Sequence, residues 1–206
     1  MSSHARVQYL LWFLVAAAHV PTVSAQSTPA PITGAERVEW IVKSTVGPTS
    51  LAGGVVSAGW STLFNSPSEY GPHWAGFGKR YGMRLPGIAT DCTIESALGV
   101  LWGEDPRYPR AGARPFKSRV TNIIKMTFEA RRNDGSVMPA YARYAGIAGN
   151  NFLSNAWRAD SEATVGAAAV RIVNGFLSQM AGNAFNEFWP DIKQRLRRHP
   201  KTPGTP

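Results

Sequence analysis

The chain contains a single cysteine, Cys92, among its 206 residues. No intramolecular disulfide can form, so the fold must be stabilised by packing. A lone cysteine is most often buried as a small apolar side chain, and pairing with a second chain is the alternative. We therefore expect Cys92 to be buried and unreactive.

Histidine is also scarce, and this scarcity excludes several classes of active site. The chain has four histidines, and His73 is the only one between residues 26 and 198. A histidine-rich zinc site and a Ser-His-Asp triad are therefore excluded, and no Gly-x-Ser-x-Gly elbow occurs. Nucleophilic catalysis by Cys92 with His73 remains open, although no local motif supports it. The sequence predicts no metal and no cofactor.

Alternating apolar and polar residues, the pattern of a half-buried strand, are rare in this chain. Apolar residues instead recur at helical spacing, most clearly from Phe116 to Phe128. The predicted helices cover residues 35–46, 48–64, 90–102, 116–131, 140–157 and 161–198, the last interrupted at Pro190. Asn133 and Gly135 predict a turn after the fourth helix. We predict an all-α fold, a single compact domain of about five to seven Gly/Ala-rich helices.

The first 25 residues have the three parts of a secretory signal peptide. Arg6 supplies the positive charge, and residues 9–20 form an apolar stretch that Pro21 ends. This stretch is shorter than the roughly 20 residues that span a bilayer. Val23 and Ala25 are small residues three positions and one position before a cleavage site that precedes Gln26, as signal peptidase requires. We predict a signal peptide (1–25), a flexible leader (26–34), a helical domain (35–198) and a disordered tail (199–206).

The formal net charge is +9, and the predicted signal peptide contributes only one of the cations. In a cytosolic protein this excess would indicate nucleic acid. An exported protein meets other anions first, so we expect an anionic membrane surface or envelope polymer as partner and no nucleic acid. Plain solubility is the alternative, because a charge of this size is ordinary. The sequence leaves the oligomeric state open.

Two long segments have little or no charge. Residues 44–68 contain no charged side chain, and residues 164–186 contain only Arg171. Both are long enough to cross a bilayer. However, the first holds several glycines among Ser and Thr, and the second holds Asn and Gln, which disfavour insertion. A soluble or peripheral protein and a membrane-embedded protein both remain open.

Three basic regions are candidate binding surfaces. Residues 104–115 contain three prolines and must form a loop whose arginines suit phosphates and carboxylates. The Gly-rich segment 76–82 has two cations but lacks the Walker and Rossmann patterns. The end of the last helix combines aromatic and basic residues, as membrane-interface helices do. The candidate binding residues are Lys79, Arg80, Arg107, Tyr108, Arg110, Arg114, Trp189, Arg195, Arg197 and Arg198. Solvated surface charge and core packing are the structural alternatives.

Three carboxylates are weak candidates for acid–base chemistry. Asp91 and Glu95 are four residues apart and would share one helix face, and Glu104 follows in the loop. A structural explanation competes with this one. Asp91 would cap or stabilise a helix start, and Glu95 would pair with Arg84 or Arg80.

The sequence thus favours an exported, non-enzymatic cell-envelope protein that binds an anionic surface or a membrane partner. One alternative is a cell-envelope hydrolase or lyase that uses carboxylates as acid and base. The other is an integral helical membrane protein.

Overall fold

The computed structural model describes residues 30–198, and these form a mainly helical domain. The six α-helices are α1 (Gly34–Val46), α2 (Pro48–Leu63), α3 (Trp74–Trp102), α4 (Phe116–Phe128), α5 (Tyr141–Leu153) and α6 (Val165–Arg198). The three short strands are β1 (Glu104–Asp105), β2 (Glu129–Arg132) and β3 (Val137–Pro139). The prediction of an all-α domain of five to seven helices is confirmed. The predicted signal peptide, residues 26–29 of the leader and the tail lie outside the described residues.

Helix α3 is the centre of the fold. Helices α1, α2 and α5 all pack against it, and α6 packs against α5 and then α4. Helix α3 runs antiparallel to α5, because Asp91 contacts Gly146 and, one turn further along α3, Glu95 contacts Arg143. Helix α6 also runs antiparallel to α5, because Arg171 contacts Asn151 and, one turn further along α6, Gly175 contacts Ile147. The two long helices are therefore parallel to each other.

The small sheet replaces the last turn of the helix predicted over residues 116–131. Strand β2 pairs antiparallel with β1 on one side and β3 on the other, with Glu129 opposite Pro139. Helix α4 ends at Phe128, whose carbonyl accepts hydrogen bonds from the Ala140 backbone and the Tyr144 hydroxyl. The predicted turn is confirmed, with Gly135 at φ +84°. Pairing with two neighbours thus overrides the local helical pattern.

Two long helices differ from the prediction, and both contain an internal proline. Helix α3 begins at Trp74 rather than at residue 90 and continues through Pro86. Helix α6 continues through Pro190, where an interruption was predicted. Proline removes the hydrogen bond to the carbonyl four residues earlier. Those carbonyls belong to Gly82 and Asn186, which are both exposed, so water can satisfy them and the helices persist.

The interior of the described domain combines apolar side chains such as Ile123 and Met126 with many polar ones, and many large apolar side chains are exposed. Among residues 30–198, the largest fully buried side chains are Glu187, Asn183, Thr127 and Ser154. By contrast, Trp74 and Leu63 are 84% and 81% exposed. Across residues 30–198, the helices do not combine the length and apolarity that crossing a membrane requires.

Candidate functional site

Glu187, a fully buried residue of α6, joins the arginine-rich loop to the C-terminal helix. Its Oε2 accepts hydrogen bonds from the Tyr108 hydroxyl and the Ala111 backbone N–H, both at 2.9 Å. Its Oε1 accepts from Arg119 Nε at 2.8 Å and from the Gly112 N–H at 3.2 Å. One carboxylate thus binds two backbone amides, a phenol and a guanidinium, and it holds the loop against α6.

The electrostatics of this cluster favour an ionised Glu187. Burial by itself would raise the pKa of its carboxyl, but the Ala111 amide, Arg119 and Tyr108 together lower it below the ordinary value. Burial also raises the pKa of Tyr108 to about 12, so the phenol remains a donor at neutral pH. The cluster is therefore a charge-assisted clamp.

Two of the predicted loop arginines form internal ion pairs. Arg107 binds Asp105 at 2.7 Å and Glu36 at 3.2 Å. Arg110 donates to the Glu187 carbonyl at 3.0 Å and lies 3.6 Å from Asp191. Their charges are partly neutralised within the domain, so these two residues position the loop.

Other cations of the same region remain unpaired. Helices α4 and α6 are antiparallel, with Phe116 stacked on Phe188 at 5.7 Å, so the start of α4 lies beside the end of α6. The resulting surface, here called the basic end, consists of Arg114, Phe116, Lys117, Trp189, Ile192, Lys193, Arg195, Leu196 and Arg197. Within residues 30–198, its five cations form no ion pair or side-chain hydrogen bond, and Leu196 is 67% exposed.

The basic end contains four of the predicted binding residues, namely Arg114, Trp189, Arg195 and Arg197. Arg198 ends α6, but its side chain lies outside the part that the structure describes. The prediction omitted Phe116 and Lys117, although both directly follow the loop in sequence. Only the antiparallel packing of α4 on α6 brings the start of α4 to the end of α6, where Phe116 stacks on Phe188.

The two candidate cations of the Gly-rich segment are not part of the basic end. Lys79 and Arg80 belong to the first turns of α3, while the basic end is at the far end of the parallel helix α6. Lys79 is exposed. Arg80 is buried, and it donates to the carbonyls of Pro67 and Gly71, both at 2.6 Å. Arg80 thus holds the loop between α2 and α3.

The three candidate carboxylates are in the interior between α3 and α5. Glu95 pairs with Arg143 at 3.0 Å, not with Arg84 or Arg80 as expected. Glu104 accepts a hydrogen bond from the Ala142 N–H at 3.1 Å and so caps α5. Burial raises the pKa of both carboxyls. Each has a structural partner within the fold.

Asp91 differs from the other two carboxylates because its buried Oδ1 has no hydrogen-bond partner in the described residues. It lies in the middle of α3 rather than at a helix start. Burial, together with the nearby Glu95 charge, raises its pKa to about 7, and Arg143 opposes this shift. Gly146 of α5 faces this carboxylate closely, so α5 covers its Oδ1, while Asp91 as a whole is half-buried.

The chain matches no protein-family model, no curated protein and no solved structure. Within residues 30–198, no group of three or more His, Cys, Asp or Glu side chains could hold a metal ion. The functional argument therefore depends on the geometry of the chain itself.

Catalysis by Cys92 with His73 requires contact between the two side chains, and helix α3 prevents it. Cys92 is buried, as expected, and burial raises the pKa of its thiol. His73 immediately precedes the first turn of α3. At about 1.5 Å per helical residue, the two residues are roughly 28 Å apart.

Proposed function

We propose that this protein is an exported, non-enzymatic component of the cell envelope that binds an anionic membrane surface through the basic end. One observation carries the proposal: the Glu187 cluster joins the loop to α6 and leaves five cations unpaired beside exposed apolar side chains. The partner is proposed from charge complementarity. The proposed export depends on the signal peptide predicted from the sequence.

Two forces would act at this surface. Each basic side chain near an anionic leaflet contributes about 1 kcal/mol, an attraction that salt screens. Exposed Phe116, Trp189 and Leu196 could enter the boundary between headgroups and acyl chains, where aromatic residues are favoured. Ile192 lies on the same turns of α6 and adds to the apolar area.

The positions of the carboxylates support a non-enzymatic function. Glu95 and Glu104 have partners inside the fold, and α5 packs against Asp91. An acid–base pair needs access to a substrate bond. The exposed, unpaired groups of the basic end suit binding.

Vesicle co-sedimentation of the chain without residues 1–25 tests the proposal. Vesicles of phosphatidylglycerol and phosphatidylcholine are compared with vesicles of phosphatidylcholine alone. The test variant carries Lys193→Gln, Arg195→Gln and Arg197→Gln. The matched control removes three cations elsewhere, through Lys43→Gln, Lys125→Gln and Arg132→Gln.

The test variant should bind the anionic vesicles roughly 100-fold more weakly, which corresponds to about 1 kcal/mol for each cation. The control variant should keep nearly all of its affinity, and added salt should weaken wild-type binding. Equal losses in both variants would show that only net charge matters. Equal binding to both kinds of vesicle would refute the proposal.

A further inference from the structure

A cavity of about 220 Å³ lies between α2, α3 and α5, away from the basic end. Its volume is several times the roughly 30 Å³ that a water molecule occupies in the liquid. The polar side chains that line it include Ser57, Ser61, Tyr70, Arg84, Asn150 and the Arg158–Glu162 ion pair. The cavity is thus large enough for a small ligand and is lined by groups that could orient one.

Arg84 provides an uncompensated positive charge in this cavity. Its Nη1 donates to Ser50 Oγ at 3.4 Å, and no carboxylate in residues 30–198 forms an ion pair with it. Burial between α2 and α3 lowers its pKa, which shows that the guanidinium has lost hydration. A Cβ at Gly54 would lie 3.1 Å from Nη1, so the glycine leaves room for Arg84.

The other two arginines of the cavity have partners within the protein. Arg80 donates to backbone carbonyls of the loop between α2 and α3. Arg158 pairs with Glu162 at 3.1 Å. Arg84 is therefore the guanidinium that remains available to bind an anion.

Asn150 adds a second requirement for the ligand. Its Oδ1 is buried and has no hydrogen-bond donor in the described residues. A Cβ at Gly87 would lie 3.3 Å from this oxygen, so the glycine lets α3 pack closely against Asn150. A buried acceptor without a donor is unfavourable, and a ligand that carries an O–H or N–H would satisfy it.

We propose that this cavity binds a small oxyanion that also carries a hydrogen-bond donor, as hydrogen phosphate or a singly protonated phosphate monoester does. Arg84 binds the anionic oxygens, and Asn150 Oδ1 accepts the hydrogen bond from the ligand. The group could belong to free phosphate or to the head of a lipid such as phosphatidic acid. This site is independent of the basic end.

Isothermal titration calorimetry of the chain without residues 1–25 tests the site with inorganic phosphate and with sulfate. Near neutral pH phosphate keeps an O–H donor, whereas sulfate has only acceptors. We expect phosphate to bind at least about tenfold more tightly, because sulfate leaves the Asn150 acceptor unpaired. Absence of phosphate binding, or equal binding of the two anions, would overturn the proposal.

Two variants locate the binding. Arg84→Gln removes the free cation, and Ser61→Leu fills part of the cavity without changing any charge. Each should weaken phosphate binding by at least about tenfold. Arg132→Gln, which removes one exposed cation outside both the cavity and the basic end, is the matched control and should bind like wild type. If Arg84→Gln does not fold, Ser61→Leu still tests the site, and unchanged affinity there would refute it.

The source of the phosphate group is resolved with dihexanoyl phosphatidic acid, a short-chain lipid with a monoester phosphate. Tighter binding of this lipid than of inorganic phosphate, lost in Arg84→Gln, would assign the site to a lipid headgroup. Equal or weaker binding would assign it to a soluble phosphate compound. Lipid binding that persists in both Arg84→Gln and Ser61→Leu would contradict the proposed site.

Discussion

Gly146 of α5 lies so close to Asp91 of α3 that a Cβ at this glycine would be 2.6 Å from the Asp91 Oδ1. The missing side chain lets the two helix backbones approach each other. The same approach places Arg143, one turn earlier on α5, 3.0 Å from Glu95. The close packing of these helices thus creates a buried polar interface that an apolar side chain at residue 146 would separate.

Gly146→Ala should lower the free energy of unfolding by about 1–3 kcal/mol, because the added methyl group must displace Asp91 or the helix. Gly182→Ala is the matched control, since a Cβ there meets no atom within 4 Å. That substitution should stabilise α6 by roughly 0.5–1 kcal/mol. Chemical denaturation measures both effects, and equal effects of the two substitutions would contradict the observed helix contact.

Asp91 should make stability fall as pH rises. Its carboxyl loses a proton near 3.8 when unfolded and at about 7 when folded. Between these values the unfolded state binds fewer protons, so increasing pH favours unfolding, by up to roughly 4 kcal/mol. Asp91→Asn removes this contribution. The free energy of unfolding of the variant, relative to that of wild type, should therefore increase from about pH 5 to about pH 8.

Denaturation of both proteins at the two pH values measures this difference. Asp160→Asn, at an exposed position, is the control and should change stability similarly at both. A constant difference between Asp91→Asn and wild type would mean that Asp91 does not titrate in this range.

Glu187→Gln should release the arginine-rich loop. The substitution removes the charged acceptor of Arg119 and Tyr108, while Arg119 keeps its ion pair with Asp191, so we expect a cost of about 2–3 kcal/mol. It should also speed tryptic cleavage after Arg107 and Arg110, because Tyr108 loses its charged acceptor. Asp191→Asn alters the exposed side of the same cluster and should cost no more than about 1 kcal/mol. Similar cleavage rates in both variants would argue against the clamp.

Expression with residues 1–25 in a two-membrane bacterium tests export and membrane association. Mass spectrometry should find a chain that begins at Gln26. High salt should release the protein from membranes, since salt screens the basic end. Retention through alkaline carbonate would instead favour an embedded protein, and a freely soluble product would contradict membrane binding.

Local pattern accounts for most of the helices. Helix α1 begins where Thr33 and Glu36 form a capping box, and α2 begins with Pro48 in its first turn. The first half of α3 was missed because glycines at 76, 78 and 82 resemble a loop. At Gly76 an added Cβ would collide with the backbone of Gly71 and Tyr70, so this glycine serves close packing within a helix.

The candidate site was only partly predictable. Residue type identified Arg107, Arg110 and Arg114 as cations of one loop. It did not identify which of them form ion pairs within the domain. The pairing of Arg107 with Glu36 joins residues 71 positions apart. Glu187 was not predicted at all, because a single glutamate within a helix has no local pattern that marks it as buried.

The sequence by itself determined that the fold has no internal disulfide, that it is helical and that it is positively charged. These properties follow from residue types and from spacings within one or two helical turns. The tertiary structure alone decided which charges are neutralised, which apolar faces are exposed and where Arg84 meets a cavity. Those outcomes depend on distances between segments that are far apart along the chain, and packing sets such distances.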